Sequence, residues 1–268
     1  MLHRIFIFLS FLFSAGSSLA ALPFVTDDAA IADLNQASIE GFAEYWHLPE
    51  KHEQELGNLA GGYLGVSYGA VKNLELTLGG LVGYNFHNSN VALANPIFQA
   101  KTMVFAPKNL AIPSVALEAG YVDKRGRDQY FDSATNTYAL AVATSKFLEG
   151  DFIIHVNSGV KSSHNIDQQS NVSRMHLGVA VDAALISSDF RFIAESYNGT
   201  PNSPRDSPGF FHSYQVGFRF IKSSNLSFHI LTGSQPTFVG YSDLNNDMLY
   251  RRTRWVQVGV RKVIDDLF

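Results

Sequence analysis

The stretch LELTLGGLVGYNF, residues 74 to 86, settles what kind of sheet this chain builds. Leu74, Leu76, Leu78, Val82, Tyr84 and Phe86 fall on one face, and Glu75, Thr77, Gly79, Gly83 and Asn85 on the other, with Leu81 the one exception. A period of two places successive side chains on opposite faces of a strand, so this one has a greasy side and a polar side. The pattern recurs. Met175, Leu177, Val179, Val181, Ala183 and Leu185 alternate with His176, Gly178, Ala180, Asp182 and Ala184; Tyr214, Val216, Phe218 and Phe220 alternate with Ser213, Gln215, Gly217 and Arg219; Val256, Val258 and Val260 alternate with Gln257, Gly259 and Arg261. Similar segments start near Ser38, Tyr63, Ile97, Ile112, Thr137, Phe152, Phe190 and Leu226. The pattern predicts about twelve strands of roughly 10 residues, the length a tilted strand needs to cross an outer membrane.

A soluble β-sandwich also alternates, so the gaps between strands decide. Short connections at 71–73, 106–109, 148–151, 187–189 and 222–225 interleave with long ones around 47–60, 87–96, 123–136, 163–174, 198–209 and 233–250. Strict alternation is what a barrel requires when tight turns lie on the side of both chain ends and larger loops lie on the other. In hydrocarbon no backbone N–H or C=O can go unpaired, so the sheet must close and show an apolar outer band. Its inner face is under no such demand. The inward candidates by alternation are Glu40, Glu44, Glu75, Lys101, Glu118, His155, Asn157, Lys161, His176, Asp182, Glu195, Arg219, His229 and Arg261. Their mixed signs predict a cross-paired interior, because a buried charge needs a partner. As passage-lining residues, Glu40, Glu44, Lys101, Glu118, His155, Asn157, Asp182, Glu195 and Arg219 are the first candidates.

Composition agrees. The 268 residues include 21 Phe, 11 Tyr, 21 Gly and no Cys, with a formal charge of -4. Without cysteine there is neither a disulfide framework nor a thiolate metal site, and the mild, interspersed charge argues against a nucleic-acid partner. Residues 1–20 place His3 and Arg4 before an apolar run, Ile5 to Phe13, and end Ser18-Leu19-Ala20. That is the pattern of a cleaved secretory signal, and the run is too short for a membrane anchor. The expected organisation is a signal over 1–20, an N-terminal periplasmic segment over 21–36 and an all-β, antiparallel transmembrane barrel over 37–268. Export to an outer membrane implies outer-membrane lipid and lipopolysaccharide, periplasmic chaperones and the barrel-assembly machinery as partners, with a small-molecule substrate of unknown identity. No cofactor is implied.

The residues resemble a known family. The mature start Leu22 to Ala29, a first strand with Glu40 and Glu44, the hairpin Tyr68 to Leu76, Ser145-Lys146, His155 to Gly159, Gly178 to Asp182 and Ala194-Glu195-Ser196 are similar to the outer-membrane family linked to the MetA pathway of phenol degradation. The resemblance implies a single outer-membrane barrel that transports small, hydrophobic or aromatic molecules. The end departs from it: Val263 to Phe268 carries Asp265 and Asp266 where such a barrel usually closes on alternating aromatics, while Phe268 fits an assembly signal.

Other chemistry was open to this chain. His87-Asn88-Ser89-Asn90 is similar to the H-x-S-N of lipid A deacylases, and a spacing of two puts base and nucleophile on one face of a strand. No acid follows Ser89 before Lys108 to orient the histidine, and Lys101 stands where one would be wanted. His87, Asn88 and Ser89 are also ordinary turn formers. Lys124, Arg125 and Arg127 form a basic loop that could meet lipopolysaccharide phosphates; Asp243 to Asp247 is oxygen-rich but lacks EF-hand spacing; the nine histidines show no zinc spacing. A channel, a lipid hydrolase using His87 and Ser89, and a surface barrel with an occluded lumen therefore stand as alternatives. Finally, Asp27 and Asp28 precede Ala29-Ala30-Ile31-Ala32-Asp33-Leu34. They are expected to cap a short helix there, as part of a tether or plug at the periplasmic mouth.

Overall fold

A computed structural model of the chain describes residues 25–49, 58–86, 89–123, 135–165, 170–198, 213–241 and 248–265. The expected signal at 1–20, His87, the basic loop at 124–127, the oxygen-rich loop at 243–247 and Phe268 lie outside them.

Twelve antiparallel strands follow one another around a closed barrel: β1 (Ala37–His47), β2 (Leu59–Val71), β3 (Leu74–Asn85), β4 (Asn90–Phe105), β5 (Ser114–Val122), β6 (Thr135–Phe147), β7 (Phe152–Asn165), β8 (Ser170–Ser187), β9 (Phe190–Tyr197), β10 (Ser213–Ser223), β11 (Leu226–Tyr241) and β12 (Met248–Ile264). Each strand pairs with its sequence neighbours, and β12 closes on β1 from Ala37↔Ile264 to His47↔Arg254. Closure leaves no edge to pair, which is the condition for a sheet in lipid.

Alternation becomes geometry as expected. Leu76, Leu78 and Val82 are exposed on the outside, Glu75 is buried inside, and Leu81, the exception in the sequence, turns inward with Gly79 and Gly83. Exposed Phe218, Phe220, Phe228, Ile230, Val256, Val258 and Val260 continue the outer apolar band. The tight turn at Lys72 and Asn73 is built on Asn73, whose φ of 66° is a left-handed conformation that asparagine tolerates in two-residue hairpins.

The connections differ from expectation in length. The turn after β4 runs over 106–113, because Pro107 and Pro113 bring no N–H to a ladder. In contrast, the connections after β3, β7 and β11 shrink to 86–89, 166–169 and 242–247. The ladder there persists after the apolar alternation has stopped. One irregularity lies in β4: its register against β3 shifts between Gly79 and Leu81, opposite Pro96, a bulge at a residue with no donor.

Inside, two small apolar clusters form. Ile97, Ala116, Val122, Tyr138, Leu140 and Val142 gather around Ala29 of the N-terminal segment, and Ala180, Ile193 and Leu231 form the second. Tyr138 lies flat over Gly120, where a Cβ would come 2.1 Å from its ring, and donates its hydroxyl to Gln99 Oε1 at 2.7 Å. Among the described residues the one helical element is the three-residue turn Leu148–Gly150. The helix expected over 29–34 does not form.

Candidate functional site

Residues 25–36 cross the interior near the end that carries the short turns, in irregular backbone. Irregular backbone away from water is viable only when protein satisfies its polar groups, and here the barrel wall supplies many of the partners while the segment's own side chains supply others. Glu195 on β9 accepts Val25 N–H at 2.8 Å and Thr26 N–H at 2.9 Å. Asn157 on β7 faces Asp27, and its amide, assigned with the nitrogen toward the Asp27 carbonyl (3.0 Å), places its oxygen to accept the Asp27 N–H (2.5 Å). Thr144 on β6 accepts Ala29 N–H at 2.9 Å, and Glu75 on β3 accepts Ala32 N–H at 2.7 Å. At the exit, Asn35 N–H donates to Gly69 O and Gly69 N–H to Gln36 O, at 3.0 and 2.9 Å, while Tyr68 donates its hydroxyl to Asn35 Oδ1 at 3.0 Å. Asn35 makes the bend into β1 with a φ of 63°. The segment thus spans the bore from β9 to β2.

Charge pins it as well. The Lys101 ammonium on β4 lies 2.9 Å from Asp27 Oδ2, 3.7 Å from Glu75 Oε1 and 3.2 Å from the Asp28 carbonyl. Asp28 Oδ1 sits 3.9 Å from His155 Nδ1, whose ring also contacts Thr144 Oγ1 at 3.0 Å. Burial by itself raises the Asp28 carboxyl, but His155 and Lys146, the Ala30 N–H and the Thr144 hydroxyl together hold it below the ordinary aspartate value. The capping contacts expected of these acids survive locally: Asp27 Oδ1 accepts Asp28 N–H at 2.8 Å and Asp28 Oδ1 accepts Ala30 N–H at 3.1 Å. No helix follows them.

The remaining inward candidates form a second layer of pairing in the wall. Asp182, fully buried, receives Arg191 Nε at 2.5 Å and Arg219 Nη2 in a shorter contact, and Arg191 also donates to the Gly150 carbonyl at 2.8 Å. Glu195 also takes Gln215 Nε2. Glu40 stands cross-strand from Arg261, Glu118 from Lys101, and half-buried Glu44 from Gln257. Buried acceptors Glu40 Oε1 and Glu118 Oε2 and both ring nitrogens of His176 make no hydrogen bond.

All nine passage-lining candidates therefore face inward, and the structure brings Lys101, His155, Asn157 and Glu195 together on Asp27, Asp28 and their neighbours. Arg191, Thr144 and Gly69 escaped the sequence reading. Arg191 was accessible to it, because it shares a face with Ile193 and Glu195 in Phe190–Tyr197. Gly69 was not: a Cβ there would lie 1.9 Å from Asp33 O, a contact that exists only once the segment has folded back. At the opposite end, Ser89 is exposed in a turn with a φ of 57°. Among the described residues no group of His, Asp and Glu could hold a metal ion.

No protein-family model matches the sequence, and no curated sequence is significantly similar to it. Solved structures are similar in fold. The COG4313 outer membrane channel from Pseudomonas putida F1 matches with a TM-score of 0.57 and 7% identity over 88% of this chain and 97% of that one. The KdgM porin in complex with disordered oligogalacturonate matches at 0.52 with 12% identity, covering 84% and 98%. The NanC porin matches at 0.50 with 10% identity over the same shares. At such identities the likeness shows the closed β-barrel fold and nothing finer.

Proposed function

We propose that this protein is an outer-membrane channel for small molecules, with residues 25–36 acting as a plug at its periplasmic mouth. The observation that carries the reading is a closed twelve-strand barrel whose charged interior is engaged by its own N-terminal segment. Both described chain ends, Val25 and Asp265, lie on the side of the short turns, the periplasmic side in barrels of this kind. The fold of known channels and the resemblance to the phenol-pathway family support the same reading, and small hydrophobic or aromatic molecules are the cargo that resemblance favours. Lys101, His155, Asn157 and Glu195 hold the plug in this scheme, while Glu40, Glu44, Glu118, Asp182 and Arg219 shape the passage around it. A hydrolase built on Ser89 gains nothing from the exposed turn in which that residue lies.

The number of wall contacts made by the segment favours a second possibility, a surface barrel whose lumen stays shut. Planar-bilayer recording separates the two. Wild type should conduct weakly and a chain lacking residues 21–35 strongly; silence from both, with folded barrels, would sink the channel and leave the occluded barrel.

A further inference from the structure

The outer surface carries a feature that transport does not use. On β12 the outward positions run Arg252, Arg254, Val256, Val258, Val260 and Lys262, all exposed. From Arg254 to Lys262 the strand climbs about 20 Å at a tilt of about 40°, close to the height of the lipid-facing band of such barrels. Arg254 thus marks the edge of that band at the end with the long loops, and Arg252 lies one step beyond it. The aromatic residues expected at such an edge are present alongside: Tyr45 packs edge-on against Phe86 at 6.0 Å, and Tyr214 stands half-exposed on β10.

Arg252 is held in place there. Its Nε donates to Ser234 Oγ at 2.8 Å, its Nη2 donates to the Ser234 carbonyl at 3.1 Å, and its guanidinium lies 5.0 Å from the centre of the Tyr214 ring. Ser234 is buried beneath it. Arg254 stands directly cross-strand from exposed, outward-facing His47. Among the described residues no Asp or Glu faces outward on β1, β2, β10, β11 or β12, so the ridge is basic on the side that meets lipid. A guanidinium fixed by its neighbours at headgroup height offers a positive charge held in place, and Arg254 one step away adds a second, which together suit a phosphate.

We infer that Arg252 and Arg254, flanked by His47 and Tyr214, form a binding site for a lipid A phosphate of the outer leaflet. The inference rests on the outer-membrane location proposed above. It is independent of whether the lumen conducts.

Native mass spectrometry of the purified full chain, titrated with bis-phosphorylated lipid A and with the same lipid stripped of phosphate, tests it. Wild type should retain the phosphorylated form about tenfold more tightly, the scale of one charge-assisted contact, and R252Q/R254Q should lose that preference. Equal retention of the two lipids by wild type, or a preference kept by the double variant, would overturn the site. Should the double variant fail to fold, R254Q alone and the wild-type comparison still decide. Bilayer conductance, measured in parallel, should not change in R252Q/R254Q. Loss of conductance in wild type would instead strike the channel reading and leave the lipid site standing.

Discussion

Gly69 offers a steric handle on the segment that leaves the barrel ladder intact. A Cβ at this position would lie 1.9 Å from Asp33 O, 2.7 Å from Asp33 C and 2.9 Å from Ala32 O, all backbone atoms of the segment. Restoring an ordinary contact requires residues 32–33 to move by about 1 Å or more, too far for hydrogen bonds already at their preferred lengths. Three are at stake: Asn35 to Gly69, Gly69 to Gln36, and Ala32 to the Glu75 carboxylate. With about 1 kcal/mol for each neutral bond and 1.5–3 for the charge-assisted one, Gly69→Ala should weaken the seating by roughly 3–5 kcal/mol. At 1.4 kcal/mol per factor of ten, that raises the released population by roughly a hundredfold or more. The chain has no cysteine, so Ala32→Cys supplies a unique reporter at a buried position of the segment. Labelling of A32C by a water-soluble maleimide should be slow with Gly69 and fast with G69A, and conductance should rise in parallel. Gly80→Ala, where nothing lies within 4 Å of the added methyl, is the control. Equal labelling rates in the G69A and G80A backgrounds, with both barrels folded, would refute the seating geometry.

Three further outcomes follow from the same structure. Asp182→Asn removes the charge shared by two buried arginines and should destabilise the barrel by about 3–5 kcal/mol in urea unfolding; a loss under about 1 kcal/mol would show that Arg191 and Arg219 are satisfied otherwise. Phe218→Arg places a charge on the lipid-facing side of β10 and should cost about 2–4 kcal/mol in the same assay, whereas a change near zero would mean that the face does not meet hydrocarbon. The Asp28 carboxyl is held below its ordinary value of 3.8. Because its value is depressed, its contribution to seating the segment is complete above about pH 4 and fades as pH falls through the lowered value. Bilayer conductance should therefore rise below about pH 4 in wild type and not in Asp28→Asn, and a rise that survives Asp28→Asn would assign it elsewhere.

The barrel was legible in the sequence because lipid imposes a rule on every spanning strand. One face must be apolar, so Leu76, Leu78, Phe218, Phe220 and Val256 to Val260 announce their direction with no help from their neighbours. Direction outward also fixes direction inward, which is why all nine candidates from Glu40 to Arg219 fall on the inner face. Strand ends were not legible where water takes over from lipid: β7 continues through Ser162 and Ser163, and the apolar face that would have revealed it is no longer required. Pairing across the lumen was hidden for a different reason. Asp182 finds Arg219 37 residues away, and Lys101 finds Asp27 74 residues away, and no local period encodes such a match.

The missing helix in the N-terminal segment has a cause in the same wall. Alanine-rich residues 29–32 behind two acids satisfy every local criterion for a capped helical turn. A helix, however, would use its N–H groups on its own carbonyls beyond the first turn, and its first turn would point them all one way. The barrel asks for them in several directions: Glu195 from β9, Thr144 from β6 and Glu75 from β3 each accept one or more segment N–H groups. A helical segment would leave at least two of those inward carboxylate or hydroxyl acceptors buried without that partner, at about 1–3 kcal/mol apiece and more for a carboxylate. Helix propensity offers only tenths of a kcal/mol per residue in return, and a single turn carries the full cost of nucleation. The irregular path therefore wins through the groups that the barrel points at it. Glu75→Gln and Thr144→Val together should weaken that preference, and residues 25–36 should then lose their protection from hydrogen exchange; unchanged protection would mean that something other than the wall holds the segment in place.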